Sequence, residues 1–124
     1  MMKQLLSAVL DGLPPTVNHL YRTARNSRRY KTKAGKAWQE EAAAIFRMAY
    51  RQQEPYAGDV AVEVLFRTKD KRRWDLDNRL KALFDTLMMA GVVKDDSQIQ
   101  SLGVSRRANR YLESATMIWV YKRD

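Results

Sequence analysis

The stretch from Asp59 to Arg67 constrains the fold more than any other part of this sequence. Val60, Val62, Val64 and Phe66 fall at every second position, with Ala61, Glu63 and Leu65 between them. Alternate residues share a face only in extended backbone, so the segment predicts a strand with one side turned to a core. Such a strand needs neighbours and a covering layer. Gln4 to Leu10 reads as a first strand, ended at Leu13-Pro14-Pro15-Thr16 because tandem prolines favour extended or turn backbone. A helix capped by Thr32 is expected to run to about Gln53, with Trp38, Ala42, Ile45 and Ala49 on one face and Pro55 and Gly58 closing it. A second helix is expected from near Asp77, with Leu80, Leu83, Phe84 and Leu87 as its apolar stripe and Gly91 as its C-cap. After a short loop from Val92 to Ser97, Ile99–Arg107 and Tyr111–Lys122 read as two strands of a hairpin joined through Ala108-Asn109-Arg110. The expected order is β-α-β-α-β-β, an α+β fold with a small mixed sheet and two helices.

A chain of 124 residues is expected to form one domain, 1–124. A domain of that size buries about 65% of its unfolded surface, enough for one modest core. The absence of cysteine excludes disulfide frameworks, thiol catalysis and cysteine-bound zinc, and it fits a cytoplasmic protein. The apolar run near the N-terminus is too short for a signal peptide and ends in Asp11-Gly12. Nothing elsewhere approaches the roughly 20 apolar residues of a membrane span, so no membrane partner is expected.

Charge narrows the function. Lys and Arg number 23 against 14 Asp and Glu, a formal net charge of +9. An excess of that size favours a polyanionic partner, and nucleic acid is the commonest. The charge is also clustered. Arg22, Arg25, Arg28, Arg29, Lys31, Lys33 and Lys36 follow one another with no acidic residue between them. With so few apolar side chains, this stretch is expected to be a mobile loop that settles on DNA phosphates.

The segment Arg72-Arg73-Trp74-Asp75-Leu76-Asp77-Asn78-Arg79-Leu80-Lys81 carries the chemistry. In an extended approach to a helix, Asp75 and Asp77 point the same way. Two ionised carboxylates at close quarters are unfavourable unless a cation joins them, and hard oxygen ligands suit Mg²⁺ or Mn²⁺. Lys81, one helical turn after Asp77, is placed to neutralise developing negative charge. Asp95-Asp96 follows the second helix and brings further carboxylates within reach if that helix packs against the next strand. Structural readings stand beside these. Asp77 suits a helix N-cap, Asp75 a solvated loop, and Lys81 an ion pair with Asp77 or Asp85. His19, the single histidine, has no companion at metal-ligand spacing and reads as structural or exposed. The residues alone leave open a non-catalytic, basic nucleic-acid-binding module.

The ordered set Arg72-Arg73-x-Asp75-Leu76-Asp77-Asn78-x-x-Lys81, Phe84-Asp85-x-Leu87, Ala90-Gly91-Val92 and Asp95-Asp96-x-Gln98 resembles the RusA family of Holliday-junction resolvases. Leu13-Pro14-Pro15-Thr16-x-Asn18 and the basic stretch after it match that family's N-terminal pattern. The resemblance implies a homodimeric endodeoxyribonuclease, bacterial or encoded by a phage or prophage, that nicks four-way junctions symmetrically in recombination and repair. It implies Mg²⁺, with Mn²⁺ as a substitute, bound by Asp75, Asp77 and Asp96, and an essential lysine at Lys81. Arg22, Arg25, Arg28, Arg29, Lys31, Lys33, Arg72 and Arg73 are expected on DNA. The sequence departs at Trp74, where relatives often carry arginine, so Trp74 is free in principle to stack on an exposed base. A nuclease for other branched DNA is the remaining alternative.

Overall fold

A computed structural model describes residues 3–123. The elements run β1 (Gln4–Asp11), α1 (Val17–Leu20), β2 (Tyr21–Thr23), β3 (Arg29–Lys31), α2 (Lys33–Tyr50), β4 (Val60–Thr68), α3 (Leu80–Met89), β5 (Ile99–Ala108) and β6 (Ala115–Lys122), with 3₁₀ turns at Leu76–Arg79 and Asp96–Gln98. The fold is α+β, as the sequence pattern requires. The predicted strand of alternating residues is β4, and it lies inside a four-stranded sheet of order β1-β6-β4-β5.

The sheet has two unlike faces. Val60, Val62, Val64 and Phe66 of β4 join Ile118 and Val120 of β6 and Leu6 and Leu10 of β1 in one core with Ala42, Ala43, Phe46 and Tyr50 of α2 and Leu80, Leu83 and Leu87 of α3. Each fully buried Leu, Val or Phe of this set contributes roughly 1.5–3 kcal/mol. The other face holds the alternate residues. Register sets Leu65 beside Met117 and Met117 beside Val9, with Trp119 between Glu63 and Ser7. Val9 is 61% exposed there, and Leu65, Met117 and Trp119 are half-buried. Only one helix face of the predicted pattern is displaced. The buried line of α2 is Gln39, Ala42, Ala43, Phe46 and Tyr50, while Trp38, Ile45 and Ala49 flank it.

Two expectations fail. The last two strands do not form a hairpin. β5 pairs parallel with β4, and β6 pairs antiparallel with both β4 and β1. α3 carries the chain back along β4, so the next strand joins β4's far edge in the parallel sense. β6 then fills the place between β1 and β4. Strands adjacent in sequence tend to pair, and the crossover overrides that tendency.

The basic stretch is not a loop without structure. The short helix α1 leads into it, and an antiparallel pair, β2 with β3, orders it, matching Tyr21 to Lys31, Arg22 to Tyr30 and Thr23 to Arg29. Its order comes from its root. Leu20 is fully buried and lies so close to α2 that a Cβ on Gly35 would stand 2.9 Å from the Leu20 Cδ1. Thr32 closes the root: its hydroxyl donates to the His19 carbonyl at 2.6 Å and accepts from the Gly35 N–H at 3.0 Å, capping α2 as expected. α2 stops at Tyr50 rather than Gln53, because Arg51 turns left-handed with φ 59°.

Candidate active site

β4 ends at Thr68, and the connection to α3 is moored to the sheet rather than solvated along its length. Arg106 on β5 donates to the Thr68 hydroxyl at 3.1 Å and to the Asp70 carbonyl at 2.9 Å. Trp74 meets Phe66 edge to face, and the guanidinium groups of Arg79 and Arg106 each lie 4.9 Å from its ring centre. Arg79 also donates to the Pro14 carbonyl at 2.6 Å. Burial, and then the charge of Arg106, lower the Arg79 pKa. Trp74 is therefore half-buried and engaged by Phe66 and two guanidinium groups. Arg72 and Arg73, between the anchored Asp70 and Trp74, stay exposed.

Asp75 has extended backbone, φ −74° and ψ 127°, and opens the 3₁₀ turn without capping it by its side chain. Asp77 lies within that turn. The expected helix start at Asp77 is thus a 3₁₀ turn followed by α3. Asp77 is therefore not a helix N-cap, whereas Asp75 stands exposed, as its reading as a solvated loop charge requires. Among the described residues neither carboxylate has a hydrogen bond or ion pair, although Arg72, Arg73, Arg79 and Lys81 flank them in the sequence. Asp70, Asp85 and Glu113 do have cationic partners.

α3 ends as its sequence predicts. Gly91 takes φ 78°, its N–H bonds to the Met88 carbonyl at 3.0 Å, and Val92 N–H bonds to Leu87 at 3.0 Å. This paired closure sends the chain sharply toward β5. The Asp95-Asp96 turn that follows is held by Gln98. Its side-chain oxygen accepts from the Lys94 and Asp95 N–H groups at 2.8 and 3.0 Å, and its nitrogen donates to the Tyr56 and Gly58 carbonyls at 2.7 Å each. Asp95 belongs to the same closure. The Ser97 hydroxyl, helped by backbone N–H groups of Ser97 and Asp96, holds its carboxyl below the usual range. Asp96 is exposed and pairs with no cation among the described residues.

Lys81 pairs with Asp85, Nζ to Oδ1 3.4 Å, and not with Asp77. The other Asp85 oxygen accepts from the Tyr21 hydroxyl at 3.0 Å, and the Arg29 guanidinium lies over the Tyr21 ring at 4.4 Å. Lys81 is thereby linked to the basic hairpin. Arg22, Arg29 and Lys31 are exposed on β2 and β3, Arg25 and Arg28 at the connecting turn, and Lys33 at the start of α2. His19 is exposed and Tyr21 half-buried.

Asp75, Asp77 and Asp96 are hard oxygen donors of the kind Mg²⁺ takes, with no competing sulfur ligand. Among the described residues, however, no three carboxylate or histidine side chains lie close enough to hold an ion together. Ionised carboxylates repel one another when no cation lies between them. Sequence reasoning named the carboxylates and offered Asp85 as a partner of Lys81, as the structure has it, but gave no structural role to Gln98 or Arg106 and did not join Tyr21 to Asp85. Asp95 followed three residues later by Gln98 is the capping-box signature and was sufficient to find Gln98. Nothing local joins Tyr21 to Asp85, which are 64 residues apart.

The family model described as Endodeoxyribonuclease RusA matches residues 11–118, from the end of β1 to the middle of β6. This puts the fold and its carboxylate-bearing turns in a class of DNA-cutting enzymes. The "Crossover junction endodeoxyribonuclease rusA" of Enterobacteria phage HK97 is 32% identical over 93 residues, 75% of this chain and 76% of the relative. The protein of the same description from Escherichia coli strain K12 is 36% identical over 86 residues, 69% and 70% of the two chains. That of Enterobacteria phage 82 is 35% identical over the same length. The chain belongs to the RusA family of endodeoxyribonucleases.

Proposed function

We propose that this chain resolves Holliday junctions in DNA recombination and repair, making paired symmetrical nicks with Mg²⁺ as cofactor and Mn²⁺ as substitute. The observation that carries the reading is the state of its carboxylates. In a chain of net charge +9, Asp75, Asp77 and Asp96 are exposed and find no cation among the described residues, whereas Asp70 and Asp85 do. Acids left free in so basic a setting suit a divalent ion. The relatives named as crossover junction endodeoxyribonucleases supply the substrate class.

Asp75, Asp77 and Asp96 would hold the ion, the first two from the turn before α3 and the third from the turn before β5. When bound, Mg²⁺ polarises a phosphoryl oxygen and acidifies a water for in-line attack. Lys81 offsets the charge that gathers on the phosphoryl group as the bond to the leaving 3′-oxygen breaks, leaving a 3′-hydroxyl and a 5′-phosphate. The basic hairpin, with Arg22, Arg25, Arg28, Arg29 and Lys31, together with Lys33 at the start of α2 and the exposed Arg72 and Arg73, grips backbone phosphates without reading bases, as recognition of branch shape requires. A homodimer on a two-fold axis matches the symmetry of the junction and gives two nicks. The apolar outer sheet face with Val9, Leu65, Met117 and Trp119 supports pairing of two copies. The enzyme would work in the cytoplasm. No helix among the described residues is long and apolar enough to cross a membrane.

The test uses a synthetic mobile four-way junction, with and without Mg²⁺, beside Asp75→Asn and Asp96→Asn. Paired symmetrical nicks that need the metal are expected, with both variants binding but failing to cut. Cleavage by either variant at the wild-type rate removes that residue from the mechanism. Cutting of flaps but never of four-way junctions replaces the substrate with other branched DNA.

A further inference from the structure

We propose that Asp85 is a positioning residue that fixes the basic β2–β3 hairpin relative to Lys81. The inference rests on the role given to Lys81 above. Asp85 is not a solvated surface acid. Its side chain is 14% exposed, against 47% for Lys81, and its two oxygens have separate tasks: Oδ1 faces the Lys81 ammonium at 3.4 Å and Oδ2 accepts from the Tyr21 phenol at 3.0 Å.

Each half of the arrangement has its own reason. Lys81 and Asp85 are one turn apart on α3, so their attraction restrains a long flexible side chain to one side of the helix. Tyr21 is the first residue of β2, and Arg29 of the paired strand β3 lies over its ring. A bond to Tyr21 therefore restrains both strands together. The hairpin is also attached through its root, where Leu20 packs on Gly35 and Thr32 bonds to His19. A root contact leaves the angle of a two-stranded ribbon free to vary. The Tyr21–Asp85 bond adds a second point, on α3, next to the lysine proposed to act at the cut phosphate. DNA phosphates held by Arg22, Arg29 and Lys31 then sit at a set distance from Lys81. Positioning of this kind acts on the rate of cutting more than on affinity, because every phosphate-binding side chain remains when the tether is lost.

The absence of cysteine permits a direct measurement. Cysteines introduced at Asn26 in the hairpin turn and at exposed Met48 on α2 carry spin labels, and the distance distribution between them is recorded without DNA or metal. It is expected to be narrow in the otherwise unaltered chain, broad in Tyr21→Phe, and still narrow in Asp85→Asn, which keeps an oxygen for the phenol. Single-turnover cleavage of a mobile junction is then measured at saturating enzyme. Tyr21→Phe is expected to cut roughly tenfold more slowly, with junction affinity within about threefold of wild type. Asp85→Asn is expected to slow cutting through Lys81 alone. A distribution that stays narrow in Tyr21→Phe overturns the tether. A broadened one with an unchanged rate overturns its part in cutting. A wild-type protein that cuts no branched DNA sinks the proposed function and the coupling with it, and is distinct from a wild type that cuts no faster than Tyr21→Phe.

Discussion

The Trp74 ring meets the Phe66 ring edge to face, with centroids 5.4 Å apart and planes at 69°. This contact ties the residue before Asp75 to the strand that forms the centre of the fold. Trp74→Ala is expected to lose about 2 kcal/mol of stability, below the figure for a fully buried aromatic because the ring is half-buried. Trp74→Phe should retain most of it. Urea unfolding measures both. A loss in Trp74→Ala under about 0.5 kcal/mol would mean that the connection is held by Arg106 alone.

Gln98 makes four backbone hydrogen bonds from one side chain, across the Asp95-Asp96 turn to the residues before β4. Gln98→Leu keeps the bulk and loses all four. The expected result is a roughly 10- to 100-fold higher Mg²⁺ requirement for cleavage. Junction affinity in chelator should stay unchanged, because Gln98 bonds to none of the side chains proposed to grip DNA. A Mg²⁺ titration of cleavage rate decides the matter; an unaltered midpoint would show that Asp96 does not depend on this brace.

The hairpin's charges predict a salt dependence. Each phosphate contact contributes about 0.9 to the slope of log affinity against log salt on duplex DNA. Single replacement of Arg22, Arg28 or Lys31 by Ala is expected to flatten the slope by about one unit. Binding to several junction sequences should weaken equally. Anisotropy titrations at four or more salt concentrations read the slope, and sequence-dependent losses would instead point to base contacts.

The Tyr21–Asp85 bond also has a pH signature. Burial, then the hydrogen bond and charge of Asp85, push the phenol above its ordinary 10.0, with Arg29 pulling the other way. The neutral phenol is the donor. Its contribution to folding is therefore complete below pH 10.0 and fades as pH rises through the elevated native value. Phenolate absorbance should show a late-ionising tyrosine that disappears in Tyr21→Phe. Titration of that group at or below its ordinary value would contradict the bond.

Gln39 on α2 is 1% exposed, and neither atom of its amide has a hydrogen-bond partner among the described residues. A buried polar group in that position costs roughly 1–3 kcal/mol, and an apolar side chain of similar shape avoids the penalty. Gln39→Met is expected to match or exceed wild-type stability by about 1 kcal/mol. A melting temperature lowered by the substitution would show that the amide has a partner in solution.

What could be read from residues alone followed the range of the interactions. β4, the C-terminus of α3 at Gly91 and the cap at Thr32 are set by neighbours in sequence, and each was legible. The pairing of β5 and β6 depends on where α3 delivers the chain, which periodicity does not encode. The basic segment lacks apolar residues of its own, so its order, borrowed from Leu20 against Gly35 and Tyr21 against Asp85, was invisible locally. The carboxylates were legible as a pattern through Asp75, Asp77 and Asp96. Of their supports, Gln98 is signalled by its spacing from Asp95, but its reach to Gly58 across 40 residues and that of Arg106 to Thr68 across 38 have no local signal.

β1 lies against β6, with Gln4 opposite Tyr121. The outermost strands of the sequence thus finish side by side on one margin of the sheet. A short glycine-serine bridge between them would close the backbone into a ring. New ends could then be opened at the exposed residues Gln52 and Gln53 with every strand pairing preserved. Such a rearranged chain would separate the making of the sheet from the order in which its strands are synthesised.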